Sequence, residues 1–232
     1  MTTIHLFLKF GKEEHLQDLY ENGTIYCNSV EYFKKVEDDA LRGDNYEGAS
    51  FIKNYPPGKF RISIAGKEVD EDFNYINLHI KEAYEKTLGN IFSLYSITSR
   101  DTEKAELFKV DAKNKKFGNK FLFIKDNPTF LKLIEQELKK KRLKFKHGFV
   151  EYYDRHKYTG KVDVFHKPNE YSYQNEFRIY VRRKSEKPLV LKIGSLKDIA
   201  VLHDIDALDT LEVRRTNNNT QQRGFASAGG DE

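Results

Sequence analysis

The apolar residues of this chain fall into many short runs of strand length, with few helical segments between them. The runs at residues 4–10, 91–98 and 176–181 are rich in β-branched and aromatic side chains, which is typical of strands. A doubly wound parallel sheet would need a helix after each strand, and this regular alternation is absent. The sequence therefore predicts an α+β fold with several short strands and few helices.

End signals mark the helices. Residues 13–22 have helical spacing and are followed by Gly23, a typical C-terminal cap, and Asp126-Asn127-Pro128 is a typical helix start. Ser29 is expected to cap a short helix, and residues 81–88 are predicted as another short helix. The remaining predicted strands cover residues 24–27, 61–65, 73–80, 120–125, 149–153, 161–165, 189–193 and 200–203.

Length and aromatic content indicate a folded domain rather than a disordered chain. Charged residues make up 33% of the 232 residues, above the roughly 25% of an ordinary domain. The 17 Phe and 14 Tyr oppose disorder, because large rings bury much apolar area. We predict a single domain over residues 1–216. Residues 217–232 lack apolar periodicity and are expected to form a flexible tail.

Cysteine content and the N-terminal sequence constrain the cellular compartment. Cys27 is the only cysteine, which excludes an internal disulfide and a multi-thiolate zinc site. The N-terminal apolar run is too short and too interrupted for a signal peptide or a spanning helix. The expectation is a cytoplasmic protein with no membrane partner.

The net charge of +4 hides an uneven distribution. Residues 100–187 contain 24 Lys and Arg against 13 Asp and Glu, a net charge of +11, while the rest of the chain carries −7. A basic block of this size attracts phosphates and other polyanions. Charge runs are also common on solvated helix faces, and Lys139–Arg142 would suit a helix C-terminus. Both interpretations stay open at this stage.

The densest chemical signal is the segment Tyr-Ser-Tyr-Gln-Asn-Glu-Phe-Arg-Ile at residues 171–179. Gln174 and Glu176 are two residues apart, so in an extended chain they project to the same side. A carboxylate beside an amide can bind a sugar hydroxyl, and the carboxylate can stabilise positive charge developing on a ribose carbon. The alternative is a simple ion pair between Glu176 and Arg178.

Other catalytic motifs are absent from the sequence, including a phosphate-binding glycine loop and a nucleophile elbow. No two of the seven His have the i,i+4 spacing of a helical metal site, and no metal cofactor is expected. Two acidic sets stay as alternatives: Asp38, Asp39 and Asp44 in a polar loop, and Glu151, Asp163 and Glu176 as the carboxylates of a metal-dependent nuclease.

Three segments resemble the motifs of ADP-ribosyltransferase-type toxins, in the same chain order. Residues 7–11 resemble the first strand, residues 91–96 the aromatic-Ser strand behind the nicotinamide, and residues 173–176 the Gln/Glu-x-Glu turn. Lys9 stands where His, Arg or Tyr is commoner, and the second motif lacks a tight Ser-Thr-Ser. This resemblance implies split mixed β-sheets around a central cleft, with NAD as co-substrate.

Residues 4–200 also resemble a bacterial domain family of unknown function. The shared features are Lys9 in the first strand and the segments 92–94, 150–152 and 176–178. The chain is similar as well to the mRNA-modifying toxins of phage-defence toxin–antitoxin–chaperone systems. That similarity implies a toxin that modifies nucleic acid, RNA rather than DNA, and an antitoxin protein as a partner.

The resemblance implies a role for individual residues. Glu176 would be the catalytic glutamate that stabilises the oxocarbenium-like transition state, and Gln174 would orient the acceptor nucleophile. Phe33 or Tyr32 could stack on nicotinamide, and Arg42 would contact a cofactor phosphate or the target. The residues expected to bind the cofactor are Lys9, Phe10, Gly11, Phe33, Arg42, Ser93 and Tyr95.

The leading hypothesis is thus a NAD-dependent mono-ADP-ribosyltransferase that acts on nucleic acid. An acceptor on protein is an alternative, because Gln-x-Glu turns also occur in protein-modifying members of the family. A nucleic-acid-binding module without catalysis and the metal-dependent nuclease are the other two.

Overall fold

The computed structural model describes residues 2–35, 46–83, 88–104 and 107–214, and these form an α+β structure. The helices are α1 (Glu13–Asn22), α2 (Val30–Lys35), α3 (Ser99–Lys104) and α4 (Asn127–Lys140), with 3-10 helices at Ala112–Phe117, Asn169–Gln174 and Ile205–Asp209. The strands are β1 (Ile4–Gly11), β2 (Thr24–Ser29), β3 (Ala49–Tyr55), β4 (Gly58–Ile64), β5 (Lys67–Tyr75), β6 (Leu78–Ala83), β7 (Asn90–Thr98), β8 (Leu107–Phe108), β9 (Lys120–Ile124), β10 (Lys144–Phe149), β11 (Glu151–Tyr153), β12 (Gly160–Lys161), β13 (His166–Pro168), β14 (Glu176–Arg182), β15 (Leu189–Lys192), β16 (Ala200–Asp204) and β17 (Val213–Arg214).

The largest sheet has the strand order β10-β14-β7-β1-β9-β16, and β2 links β7 to β15 at one side. Its strand pairs are antiparallel. Smaller sheets join β12, β3 and β6, β11 and β13, β4 and β5, and β8 and β17. This arrangement confirms the predicted α+β class with several short strands.

The large sheet is covered on both faces, as the sequence of β1 requires. Phe7 and Leu8 point to opposite faces, and both are fully buried. Phe7 belongs to a core that includes buried residues of α1 and α4, so we call that face the helix-side face. Leu8 packs with Tyr95 and Leu208 on the opposite face, which we call the site face.

Two helix ends agree with the sequence signals. Gly23 has a φ of 62° and closes α1 by donating its N–H to the carbonyls of Asp18 and Leu19. A Cβ at this position would overlap the backbone of Gly194, so only glycine fits. The Asp126 side chain accepts a hydrogen bond of 3.0 Å from the backbone N–H of Thr129 at the start of α4. Both capping predictions are confirmed.

Four secondary-structure predictions are wrong in detail. The helix predicted at residues 81–88 is replaced over residues 81–83 by the end of β6, because β6 pairs with β3 and tertiary pairing overrides the local pattern. The strand predicted at residues 73–80 is interrupted between β5 and β6. Of the strand predicted at residues 161–165, only Lys161 lies in a strand, β12, and the strand predicted at residues 149–153 is interrupted at Val150 between β10 and β11. The predicted tail at 217–232 lies outside the described residues.

Within the described residues, no helix is both long enough and apolar enough to cross a membrane.

Candidate active site

The three segments singled out by the sequence lie on neighbouring strands. β14 pairs with β7, and β7 pairs with β1, at the centre of the large sheet. Glu176 lies opposite Tyr95, which in turn lies opposite Leu8, and Arg178 lies opposite Ser93. Directly opposed residues of antiparallel strands project from the same face. Glu176, Arg178, Ser93 and Tyr95 therefore share the site face.

Lys9 lies on the other face of the sheet. It follows Leu8 in β1, so its side chain alternates to the helix-side face. Its Nζ lies 4.6 Å from the centroid of the Phe92 ring, which belongs to the helix-side core. The same Nζ donates to the carbonyl of Ser93 at 2.7 Å. The structure thus brings Lys9 to the Ser93 backbone but separates its side chain from Glu176 by the sheet.

The carboxylate of Glu176 is buried and is held by two cations. Its Oε1 accepts from Arg178 Nε at 2.8 Å, and its Oε2 accepts from Arg178 Nη2 at 3.3 Å and from Lys167 Nζ at 3.4 Å. The backbone N–H of Glu176 donates to the hydroxyl of Tyr152 at 2.9 Å. Only 6% of Glu176 is exposed. The side chain is therefore fixed in direction before any ligand binds.

A second buried carboxylate completes the charge balance. Both oxygens of Glu47 accept from Arg178, each at 3.1 Å, and Arg178 also donates to the carbonyl of Val164. The side chains of Glu47, Lys167, Glu176 and Arg178 are all at most 7% exposed. We call these four residues the buried quartet, which holds two positive and two negative charges.

The quartet sets the ionisation of Glu176. Burial by itself would raise the pKa of Glu176, but the charges of Arg178 and Lys167 outweigh it and hold that pKa well below its usual range. The nearby phenols behave differently, because burial raises the pKa of both Tyr95 and Tyr152. Glu176 is accordingly an anion at neutral pH, beside phenols that stay protonated.

Gln174 lies in the same site, but the backbone between it and Glu176 differs from the extended chain that the sequence predicts. It ends a 3-10 helix, and Asn175 after it has a φ of 37°, so the chain between Gln174 and Glu176 is not extended. Asn175 is held there by a hydrogen bond of 2.7 Å from its Nδ2 to the Ser96 carbonyl. Gln174 and Glu176 do come together, because both contact the ammonium group of Lys167.

The other predicted cofactor residues lie in packed surroundings. Phe10 packs against Tyr95 and Phe121 on the site face, with ring centroids 5.9 and 6.1 Å apart. A Cβ on Gly11 would lie 3.3 Å from the Leu16 side chain, so this glycine allows close packing of α1. Phe33 packs against a small core, and Tyr32 meets its ring edge-on at 5.5 Å. Arg42 lies outside the described residues, as do Asp38, Asp39 and Asp44.

The sequence interpretation did not include Lys167 or Tyr152 in the site, and it treated Arg178 only as a surface partner. Arg178 could have been found from its position two residues after Glu176. Glu47 is far away in sequence, and no local pattern links it to the site. Lys167 lies in β13, and the 3-10 helix that follows ends at Gln174, whose Oε1 accepts from the Lys167 Nζ at 2.7 Å.

An open cavity adjoins Tyr152, and none of the quartet lines it. It has a volume of about 370 Å³ and is lined by Tyr152, whose hydroxyl binds the Glu176 backbone, together with Tyr153, Tyr158 and polar neighbours. This volume suits part of a small ligand. A larger depression of about 680 Å³ lies at the start of α1, and none of the quartet lines it.

The carboxylates of the nuclease alternative do not converge. Glu151 and Asp163 both contact His166, at 3.7 and 2.8 Å, whereas Glu176 is engaged by Arg178 and Lys167. Across the described ranges, no three His, Cys, Asp or Glu side chains group closely enough to hold a metal ion.

The basic block divides between two surfaces. Lys139, Lys140 and Lys141 end α4, where Glu135 and Glu137 pair with them. Lys144 and Lys146 lie instead on the edge strand β10, opposite Arg182 and Tyr180 of β14. These positions alternate with the same period as Glu176 and Arg178, so they share the site face.

We call Lys144, Lys146 and Arg182 the basic strip. All three are exposed, and none forms a salt bridge within the part of the chain that the structure describes. At about 3.4 Å per residue, the strip lies about 14 to 20 Å along the sheet from Glu176.

Comparison with protein-family models, with curated proteins and with solved structures found no match to this chain.

Proposed function

We propose that this protein is a NAD-dependent mono-ADP-ribosyltransferase with Glu176 as its catalytic carboxylate. The observation that supports this most is the adjacency of β1, β7 and β14, the three strands whose sequences resemble the transferase motifs. Glu176, Ser93 and Tyr95 share one face of this sheet, and Phe10 packs against Tyr95 there. In this proposal residues 1–216 form one catalytic domain with split sheets around a central cleft.

The chemistry required is the transfer of a ribosyl carbon. The bond between ribose C1′ and the nicotinamide nitrogen breaks, and nicotinamide leaves with the bonding electron pair, which neutralises its ring. A nucleophile of the acceptor then bonds to C1′ and loses its proton. The ionised, fixed carboxylate of Glu176 suits this step, because it accepts a hydrogen bond from a ribose hydroxyl and stabilises the cationic transition state. Gln174 would orient the nucleophile.

The cavity beside Tyr152 is the route by which we propose that NAD reaches Glu176. Glu176 is only 6% exposed, and the cavity is lined by Tyr152, whose hydroxyl accepts a hydrogen bond from the Glu176 backbone N–H. Lys9 takes no part in this revised site, because its side chain lies on the helix-side face. Its proposed role is to anchor the backbone of Ser93.

A nucleic-acid acceptor is supported by the basic strip. Three exposed cations on the same face as Glu176 can bind successive phosphates and leave a nucleotide free to reach the site. RNA is favoured over DNA by the resemblance to mRNA-modifying toxins. In that setting the enzyme would act in the bacterial cytoplasm as a toxin controlled by an antitoxin.

The test is incubation of the purified protein with labelled NAD and separate pools of RNA, DNA and cell protein. We expect label in the RNA pool and release of free nicotinamide, both lost in Glu176→Gln. Glu135→Gln, the same substitution on helix α4, should keep full transfer. The proposal fails if wild type releases no nicotinamide with any pool, or if Glu176→Gln transfers label as well as wild type. Label in the protein pool alone would identify a protein acceptor.

The basic strip also supports a second candidate, a nucleic-acid-binding module without catalysis. This candidate predicts salt-sensitive binding of RNA or DNA that Glu176→Gln leaves unchanged. It further predicts that no nicotinamide is released from NAD at any protein concentration. The two readouts, binding and nicotinamide release, separate the two candidates.

A further inference from the structure

Lys167 occupies an unusual position for a lysine. It lies in the three-residue strand β13, opposite Tyr152 of β11, and is only 5% exposed. Lysines are almost never fully buried unless their charge is paired. The burial of Lys167 therefore calls for partners that compensate its charge, and these partners belong to the candidate active site.

The ammonium group of Lys167 bridges the two proposed catalytic side chains. Its Nζ donates to Gln174 Oε1 at 2.7 Å and lies 3.4 Å from Glu176 Oε2. The Tyr171 ring lies beneath it, with its centroid 4.9 Å from Nζ. Among the described residues, Lys167 is the cation that contacts both Gln174 and Glu176.

This bridge determines which atoms of Gln174 face the ligand. Because the Gln174 carbonyl oxygen accepts from Lys167, its amide nitrogen turns the other way and donates to the Tyr173 hydroxyl at 3.3 Å. Without Lys167 the amide could rotate and exchange its donor and acceptor ends. The intervening Asn175 does not align the two side chains by itself, since its backbone is left-handed.

Arg178 has a different task within the buried quartet. Its guanidinium is shared between Glu47, Glu176 and the Val164 carbonyl, so it ties three parts of the chain together. Within the described residues, the hydrogen-bond partners of Arg178 do not include Gln174. Arg178 thus connects the chain segments that form the site. Lys167 connects the side chain of Gln174 to that of Glu176.

We infer that Lys167 is a positioning residue of the transferase reaction: its ammonium group aligns the Gln174 amide with the Glu176 carboxylate. The inference rests on the proposed function and adds a residue to it. The charged and titratable groups facing Glu176 are Arg178 and Lys167, with Glu47 and Tyr152 behind them. Loss of Lys167 removes one of the two cations, so Glu176 becomes easier to protonate.

The kinetic test compares Lys167→Met, which keeps chain length without charge, with Lys167→Arg and with the matched surface control Lys139→Met. We expect kcat of Lys167→Met to fall roughly tenfold to a hundredfold with little change in KM for NAD. Lys167→Arg should recover part of kcat, and Lys139→Met should match wild type. A raised KM with unchanged kcat, or wild-type values of both constants, overturns the inference.

A second measurement does not depend on activity. Glu176 can be followed by carbon NMR of 13C-glutamate-labelled protein, with Glu176→Gln to assign its signal. We expect its titration midpoint to rise in Lys167→Met, and an unchanged midpoint would overturn the inference. If wild type releases no nicotinamide, the proposed function fails, while this titration still tests the contact.

If Lys167→Met does not fold, the double variant Lys167→Met/Glu176→Gln provides the test. It removes one buried charge of each sign and leaves Arg178 paired with Glu47. We expect its urea midpoint to exceed that of Glu176→Gln alone, because the single variant leaves a buried cation uncompensated. A lower or equal midpoint would show that Lys167 does not interact with Glu176 and would overturn the inference.

Discussion

Arg178 donates hydrogen bonds to both carboxylate oxygens of Glu176, two residues before it on the same face of β14. In an exposed strand such a pair would contribute little to stability. Here both side chains are buried, and Glu47 binds the opposite side of the guanidinium. An ion pair of a kind that is common on protein surfaces is therefore buried here, and it fixes the position of the Glu176 carboxylate.

Replacement of Arg178 by Met should lower the free energy of unfolding by about 3–5 kcal/mol, because two buried carboxylates would then share one cation. The matched control is Arg182→Met, four residues further along the same face of β14, where the side chain is exposed. Its effect should stay within about 0.5 kcal/mol. Urea unfolding of both variants measures the difference, and equal losses would contradict the structural role of Arg178.

Glu176 should make the stability of the protein sensitive to acid. The folded-state pKa of Glu176 is lowered, so its contribution to stability is fully present above the unfolded value of about 4.3 and is lost progressively as pH falls from there through the lower folded value. Between about pH 4 and pH 2, wild type should therefore lose stability more steeply than Glu176→Gln. Urea midpoints measured across this interval test it, and parallel curves would contradict it.

Cys27 should be inert in the folded protein. It is 1% exposed in the helix-side core, and burial raises the pKa of its thiol to about 12. A thiol reagent at pH 8 should react with wild type only as fast as the protein opens, and fully once urea unfolds it. Cys27→Ala provides the blank. Rapid labelling of the native protein would show that the thiol is accessible and that the packing described for β2 is incorrect.

The two basic surfaces should differ in their effect on nucleic-acid binding. Substituting Gln for Lys144, Lys146 and Arg182 together should weaken RNA binding and flatten the slope of log K against log salt by about two units, since each phosphate contact contributes about 0.7 for a single strand. The same change at Lys139, Lys140 and Lys141 should alter the slope much less, because Glu135 and Glu137 already pair with these lysines. Equal effects would indicate nonspecific attraction by net charge rather than a binding strip.

The sequence was informative wherever a signal is local. Strand segments, the glycine after α1 and the Asp126 cap follow from side-chain period and backbone preference, and these act over a few residues. The sequence also indicated the Gln174–Glu176 segment as a candidate site, since its residues are adjacent in the chain. The helix predicted at residues 81–88 was wrong over residues 81–83, because the structure there is not decided locally. Pairing of β6 with β3, which is distant in sequence, outweighed a weak local preference for helix.

The tertiary structure decided which charges meet. Strand register put Lys9 on the helix-side face and Ser93 beside Arg178, and a shift of one residue would have exchanged these faces. Glu47 and Lys167 entered the site through chain folding that no local period encodes. By itself, the sequence determined the class of fold and the segment that carries the candidate carboxylate. The buried quartet, and with it the ionised state of Glu176, exists only because side chains far apart in sequence share one water-excluded space.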